Sequence, residues 1–156
     1  QDGQNGTDGA NFYDTLPSGV TVTGIIGGDF DSDDKTSGDW RVFHSFPALI
    51  GRVLTHDDVI VANTDAVDDN CSGSATCLNG TEAAAAAACT GSAIAPTAPA
   101  GKVCIYPAWG NNAGEIEGLI LNKNGETSSR GFLISWSVDG SAGDTYLAGM
   151  WAYTQP

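Results

Sequence analysis

The sequence predicts an all-β fold, an antiparallel β-sandwich or jelly roll of about eight strands, and three observations carry that prediction. Only 16% of residues are charged while glycine alone fills 21 of 156 positions, a turn-rich composition that favours strands over helices. Short runs of alternating apolar and polar residues recur between Gly, Pro, Asn and Asp punctuation. No long segment repeats apolar residues at helical spacing. With 41% hydrophobic residues, a chain this long can bury one core, which sets disorder aside as an account of the whole.

The opening residues stand apart. Gly3, Gly6 and Gly9 recur at every third position over residues 1–11, the interval of a collagen triple helix, where only Gly fits at the crowded axis. A flexible Gly-rich leader is the alternative. The large aromatics Phe12 and Tyr13 then open a different kind of structure, so a collagen-like tail over 1–11 is expected to precede a β-sandwich head over 12–156.

Within the head, Val20, Val22, Gly24 and Ile26 share one face of a first strand, which Gly27 and Gly28 should end. Further strands are expected over 40–46, 48–54, 58–62, 102–106 and 115–121. Phe132, Ile134, Trp136 and Val138 line one face of the clearest strand, over 131–138. The last, over 145–153, is apolar on both faces, as a strand with a layer on each side should be.

Between 63 and 100 the alternation disappears and a long loop insertion remains. Thr81 could cap a short helix through the alanines 83–88, with a mobile linker as the alternative. The insertion holds Cys71, Cys77 and Cys89, and Cys104 follows it. An even count without a C-x-x-C pair suggests disulfides formed in an oxidising compartment, so the protein is expected to be extracellular. Of three possible pairings, the shortest loops favour Cys71 with Cys77 and Cys89 with Cys104. The loop is then stapled to the strand that follows.

Charge narrows the partners. Nineteen acidic against six basic residues give a net charge of -13, a field that repels nucleic-acid backbones and anionic lipid. The longest apolar run, 83–88, is far short of the roughly 20 residues that span a bilayer. The chain opens on Gln1 without a basic and apolar leader, so any secretion signal is expected to have been removed.

The sharpest chemical feature is the acidic cluster Asp29, Asp31, Asp33 and Asp34, with Asp39 nearby. Alternate carboxylates in a turn can offer several oxygens to one calcium ion, which takes six to eight. The EF-hand pattern fails, because Asp34 stands where the invariant Gly belongs. A solvated acidic loop is the competing reading. Asp57, Asp58, Asp65, Asp68 and Asp69 form a weaker set of the same kind. Catalysis has little support: His44 lies in an alternating strand and reads as structural, His56 is the other histidine, and no nucleophile elbow or metalloprotease motif occurs. Glu115 and Glu117 share a strand face at a spacing that geometry alone imposes, so they do not point to a glycosidase.

Trp40, Trp109, Trp136, Trp151 and Tyr106 could stack on sugars if exposed together. The strand pattern puts Trp136 and Trp151 in the core. Trp109, between Pro107 and a Gly-Asn-Asn turn, is the candidate for an exposed loop tip that meets a glycan or surface ligand.

The collagen-like leader, followed by P-S-G-V-T-V-T-G-I-I-G-G, H-S-F-P-A-L-I, Cys89-Thr90-Gly91, A-P-A-G-K-V-C-I-Y and G-D-T-Y-L-A-G-M-W-A-Y-T, resembles the C-terminal globular head of bacterial collagen-like surface proteins. The resemblance lies in order and spacing and covers most of the chain after residue 17. It implies a trimeric β-sandwich head that nucleates and registers a collagen stalk, and it favours the Cys89–Cys104 bridge. The insertion with Cys71, Cys77 and the alanines departs from that pattern. Three triplets cannot hold a triple helix in water, and a globular trimer would supply the local concentration they lack.

The expected function is therefore that of a non-enzymatic, secreted structural and adhesive protein, a homo-oligomer and most simply a trimer, with Tyr146, Met150 and Trp151 as candidate subunit contacts. The alternatives are a calcium-dependent carbohydrate-binding module and a filament subunit assembled by strand addition.

Overall fold

The computed structural model describes residues 14–30, 38–62, 88–111, 113–119, 129–138 and 145–156, with the side chains of 29–30, 38–40, 56, 109–111, 113–119, 137–138 and 145 outside that description. Seven strands occur among the described residues: β1 (Thr21–Phe30), β2 (Gly38–Ser45), β3 (Val59–Val61), β4 (Val103–Asn111), β5 (Ala113–Leu119), β6 (Gly131–Val138) and β7 (Thr145–Thr154). A 3-10 turn, His56–Asp58, leads into β3. The fold is all-β. Its strands form a four-stranded sheet in the order β1-β7-β4-β3 and a three-stranded sheet in the order β2-β6-β5.

One core joins the two sheets. Ile26, Val59, Val61, Val103, Ile105, Leu147, Trp151 and Tyr153 of the larger sheet pack with Phe132, Ile134 and Trp136 of the smaller. Phe46, one residue past β2, sits between them, its ring 5.1 Å from Tyr153, 5.6 Å from Trp151 and 5.7 Å from Phe132. Phe132 and Trp151 meet edge to face at 5.4 Å, a geometry that adds about 0.5–1.5 kcal/mol to the burial of each such pair.

Gly24 makes room for that cluster. It lies opposite Trp151 across the β1–β7 ladder, and a Cβ there would stand 2.5 Å from the indole Nε1. The glycine in the middle of β1 is thus a packing requirement of the ring beside it.

Several strands differ from their expected form. Residues 48–54 make no strand, although Ala48, Ile50 and Leu54 are buried. Pro47 and Gly51 interrupt the backbone, which instead exchanges bonds with Asp14 and Leu16 at Leu49 and reaches Ser129 through the Ile50 N–H. Alternating burial here comes from a loop laid against the core. β1 does not stop at the glycines but continues to Phe30, because β7 offers a partner as far as Thr145. Likewise β4 runs through Pro107 to Asn111, with an irregularity between Pro107 and Trp109.

The sheets are also not wholly antiparallel. β3 pairs parallel with β4, Val59 opposite Val103 and Val61 opposite Ile105. The long 62–102 connection allows this, since parallel neighbours need an extended crossover. β6 alone matches its expected bounds, and β7 runs one residue longer than expected.

Candidate functional site

Two groups of residues on the four-stranded sheet hold the chemistry of the described surface. The first is built on Asp58, whose carboxylate is buried at the end of the 3-10 turn. Oδ2 accepts from Arg52 Nη2 at 2.6 Å, from the Thr55 N–H at 2.8 Å and from Thr55 Oγ1 at 3.0 Å, while Oδ1 accepts from Lys102 Nζ at 2.7 Å. Lys102 also donates to the Asp57 carbonyl at 3.2 Å. Burial alone would raise the Asp58 pKa, but the hydrogen bonds and charge of Lys102 and the bonds from Thr55 outweigh it and hold the carboxyl below its ordinary value.

Three donors crowd Oδ2 and one occupies Oδ1 of the buried carboxylate, so Asp58 is committed to structural bonds. It is a clasp. Arg52 comes from the loop before the turn and Lys102 stands one residue before β4, so the carboxylate ties two distant segments together. Next to it Tyr153 donates to Gln155 Oε1 at 2.9 Å, and the Gly51 N–H reaches the same oxygen at 3.1 Å. Burial raises the Tyr153 pKa, with the Asp58 charge adding to it and Arg52 opposing it.

The second group is a strap over the outer face of the same sheet. Cys89 and Cys104 are joined by a disulfide with a Cα separation of 5.7 Å, one of the two favoured pairings; Cys71 and Cys77 lie outside the described residues. The buried Tyr106 hydroxyl accepts from the Gly91 N–H at 3.1 Å and donates to the Thr97 carbonyl. Thr154 Oγ1 donates to the Ala98 carbonyl at 2.7 Å. Beneath the strap, Ile60, Ala62, Cys104 and Tyr106 form a small second core with Cys89, Ala93 and Ala98.

Among the described residues the strap covers the β3–β4 side. Toward β1 the outer face carries Ile25, 75% exposed, and Tyr146, 40% exposed, with half-buried Met150 and Ala148 between them. Ile25, Met150 and Tyr106 form one row across β1, β7 and β4.

The structure sorts the candidate residues. Tyr146 and Met150 lie on this outer face, but Trp151 points the other way, into the core at 4% exposure. Neighbouring residues of a strand face opposite sides, so Trp151 is corrected from subunit contact to core residue. Tyr106 and Trp136 are fully buried too, and neither offers a ring for stacking on a sugar. Trp109 lies within β4 opposite Ala148 rather than at a loop tip, because the ladder with β7 carries the strand past Pro107. Its side chain is outside the described residues.

Asp29 belongs to β1 opposite Tyr146 rather than to a turn. Its side chain lies outside the described residues, as do Asp31, Asp33 and Asp34 and the glycines Gly3, Gly6 and Gly9. Among the described residues no three His, Cys, Asp or Glu side chains converge to hold a metal ion. His44 stacks on Phe132 at 5.5 Å with its Nε2 buried and without a hydrogen-bond partner among the described residues, and burial lowers its pKa. The clasp was not visible from sequence, where Asp58 belongs to an acidic set; six residues separate it from Arg52 and 44 from Lys102, and no pattern links the three. No family model, curated protein or solved structure matches the chain.

Proposed function

We propose that the chain is a non-enzymatic extracellular structural protein, a β-sandwich head that brings together the strands of a collagen-like stalk as a homotrimer. The observation that carries this reading is the use made of the polar groups that could have been chemical. Asp58 is held by four donors, the Tyr106 hydroxyl holds the strap, and the Cys89–Cys104 bridge is buried beneath it. Each fastens one part of the chain to another.

The supporting lines are independent of one another. The two sheets share one core, which we read as a sandwich whose long connection is stapled by the Cys89–Cys104 disulfide. A buried disulfide suits an oxidising compartment. The three-residue glycine beat at the amino end asks for three chains in register, and a compact head raises their local concentration. Light scattering coupled to gel filtration at micromolar concentration tests the proposal. A mass three times that of the chain is expected, and a monomer overturns it.

A further inference from the structure

We propose that β1 is an open pairing edge on which a second copy of the chain docks, β1 against β1, as antiparallel strands. β1 ends the sheet order β1-β7-β4-β3, and among the described residues β7 is its one ladder partner. The Gln155 N–H bonds to the Val20 carbonyl, so the Val20 carbonyl faces β7. Backbone groups alternate sides along a strand, so Val22, Gly24 and Ile26 bond to β7. Thr21, Thr23 and Ile25 then turn their N–H and C=O groups away from it, to the edge.

Proteins usually guard such edges with short strands, prolines, bulges or inward charges. Among the described residues, the strands at the other three sheet edges are short or carry charged residues. β3 is three residues long, β2 carries Asp39 and Arg41, and β5 carries Glu115 and Glu117. β1 is ten residues long, pairs with β7 without a register shift, and has no charge from Thr21 to Gly28. Its outward side chain Ile25 is 75% exposed.

A second copy fits this edge because the stretch is self-complementary and brings no carboxylates together. Two chains of net charge -13 repel wherever carboxylates meet, and opposed like charges destabilise a ladder. Thr21–Gly28 is a stretch of edge along which identical strands meet no carboxylate. A twofold ladder centred on Thr23 sets Thr21 opposite Ile25 of the copy, pairs β-branched side chains, and leaves Asp29 beyond its end. This contact is separate from the threefold association of the head and would join one head to another.

Light scattering over a hundredfold concentration range, with amide exchange at both ends of that range, tests it on the whole chain. The expected result is a doubling of mass with concentration, accompanied by at least tenfold slower exchange at Thr21, Thr23 and Ile25. Thr23→Pro removes an edge N–H without touching the β7 ladder, and Ile25→Lys places a guard charge on the edge. Both variants should keep the strand signal in circular dichroism and lose the doubling. If Thr23→Pro fails to fold, Ile25→Lys decides. A mass that does not change with concentration, or a doubling that persists in the folded variants, overturns the proposal whatever the oligomeric state of the head at the dilute limit.

Discussion

Replacing Asp58 with Asn keeps the shape of the clasp and removes its charge. The Asp58 side chain is 4% exposed, whereas Arg52 and Lys102 are 36% and 35% exposed, so the site lies between two limits. Breaking a fully buried ion pair costs about 3–5 kcal/mol, and an exposed pair is worth about 0–1 kcal/mol. Solvent around the two cations reduces the first figure, and we expect a loss of about 2–3 kcal/mol. For a domain of this size that lowers the melting temperature by about 4–12 °C.

Thermal unfolding at neutral pH, followed by circular dichroism, measures the loss, with Asp57→Asn as the exposed neighbour that should change little. The pH dependence carries a second signature. Because the folded pKa of Asp58 is depressed, its contribution is present above the unfolded value of about 3.9 and is lost as pH falls through the folded value. The gap between the native protein and Asp58→Asn should therefore close below about pH 4. A loss under about 0.5 kcal/mol, or a gap that persists at low pH, refutes the clasp.

Three further outcomes follow from the core and the strap. Gly24→Ala should destabilise by about 1–3 kcal/mol in chemical denaturation, since its Cβ would overlap the Trp151 indole; an unchanged midpoint would show that the ring moves freely. Replacing Cys89 and Cys104 together with Ala opens a loop of sequence separation 15 and should cost about 3 kcal/mol, with amide exchange at Ala62 and Gly91 rising first. His44 is held neutral by burial, so the unfolded chain binds the proton more readily. Stability should fall as pH drops from about 6.5 toward the lower folded pKa, and His44→Phe should flatten that slope in melting curves from pH 7 to pH 5.

Much of the strand content could be read from the chain. The Phe132, Ile134, Trp136 alternation fixes β6 and its buried face because a half-buried strand must repeat with period two. The same rule misleads at residues 48–54, where Ala48 and Ile50 are buried from a loop whose backbone bonds go to Asp14, Leu16 and Ser129. It also fails at Trp109, since whether a strand survives a proline depends on the partner beside it. Tyr146 and Met150 lie on the outer face of β7, whereas Trp151, next after Met150, faces the core, as alternation within the strand requires.

The sequence by itself determined the all-β class and the net charge of -13, and it favoured the union of Cys89 with Cys104, because composition, charge and short loop closure are local properties of a chain. Tertiary structure decided which rings fill the centre, which strands end each sheet among the described residues, and what Asp58 does. Those depend on contacts between residues far apart in the chain, such as Gly24 under Trp151 and Lys102 on Asp58, and no local pattern encodes which distant partner a side chain will meet.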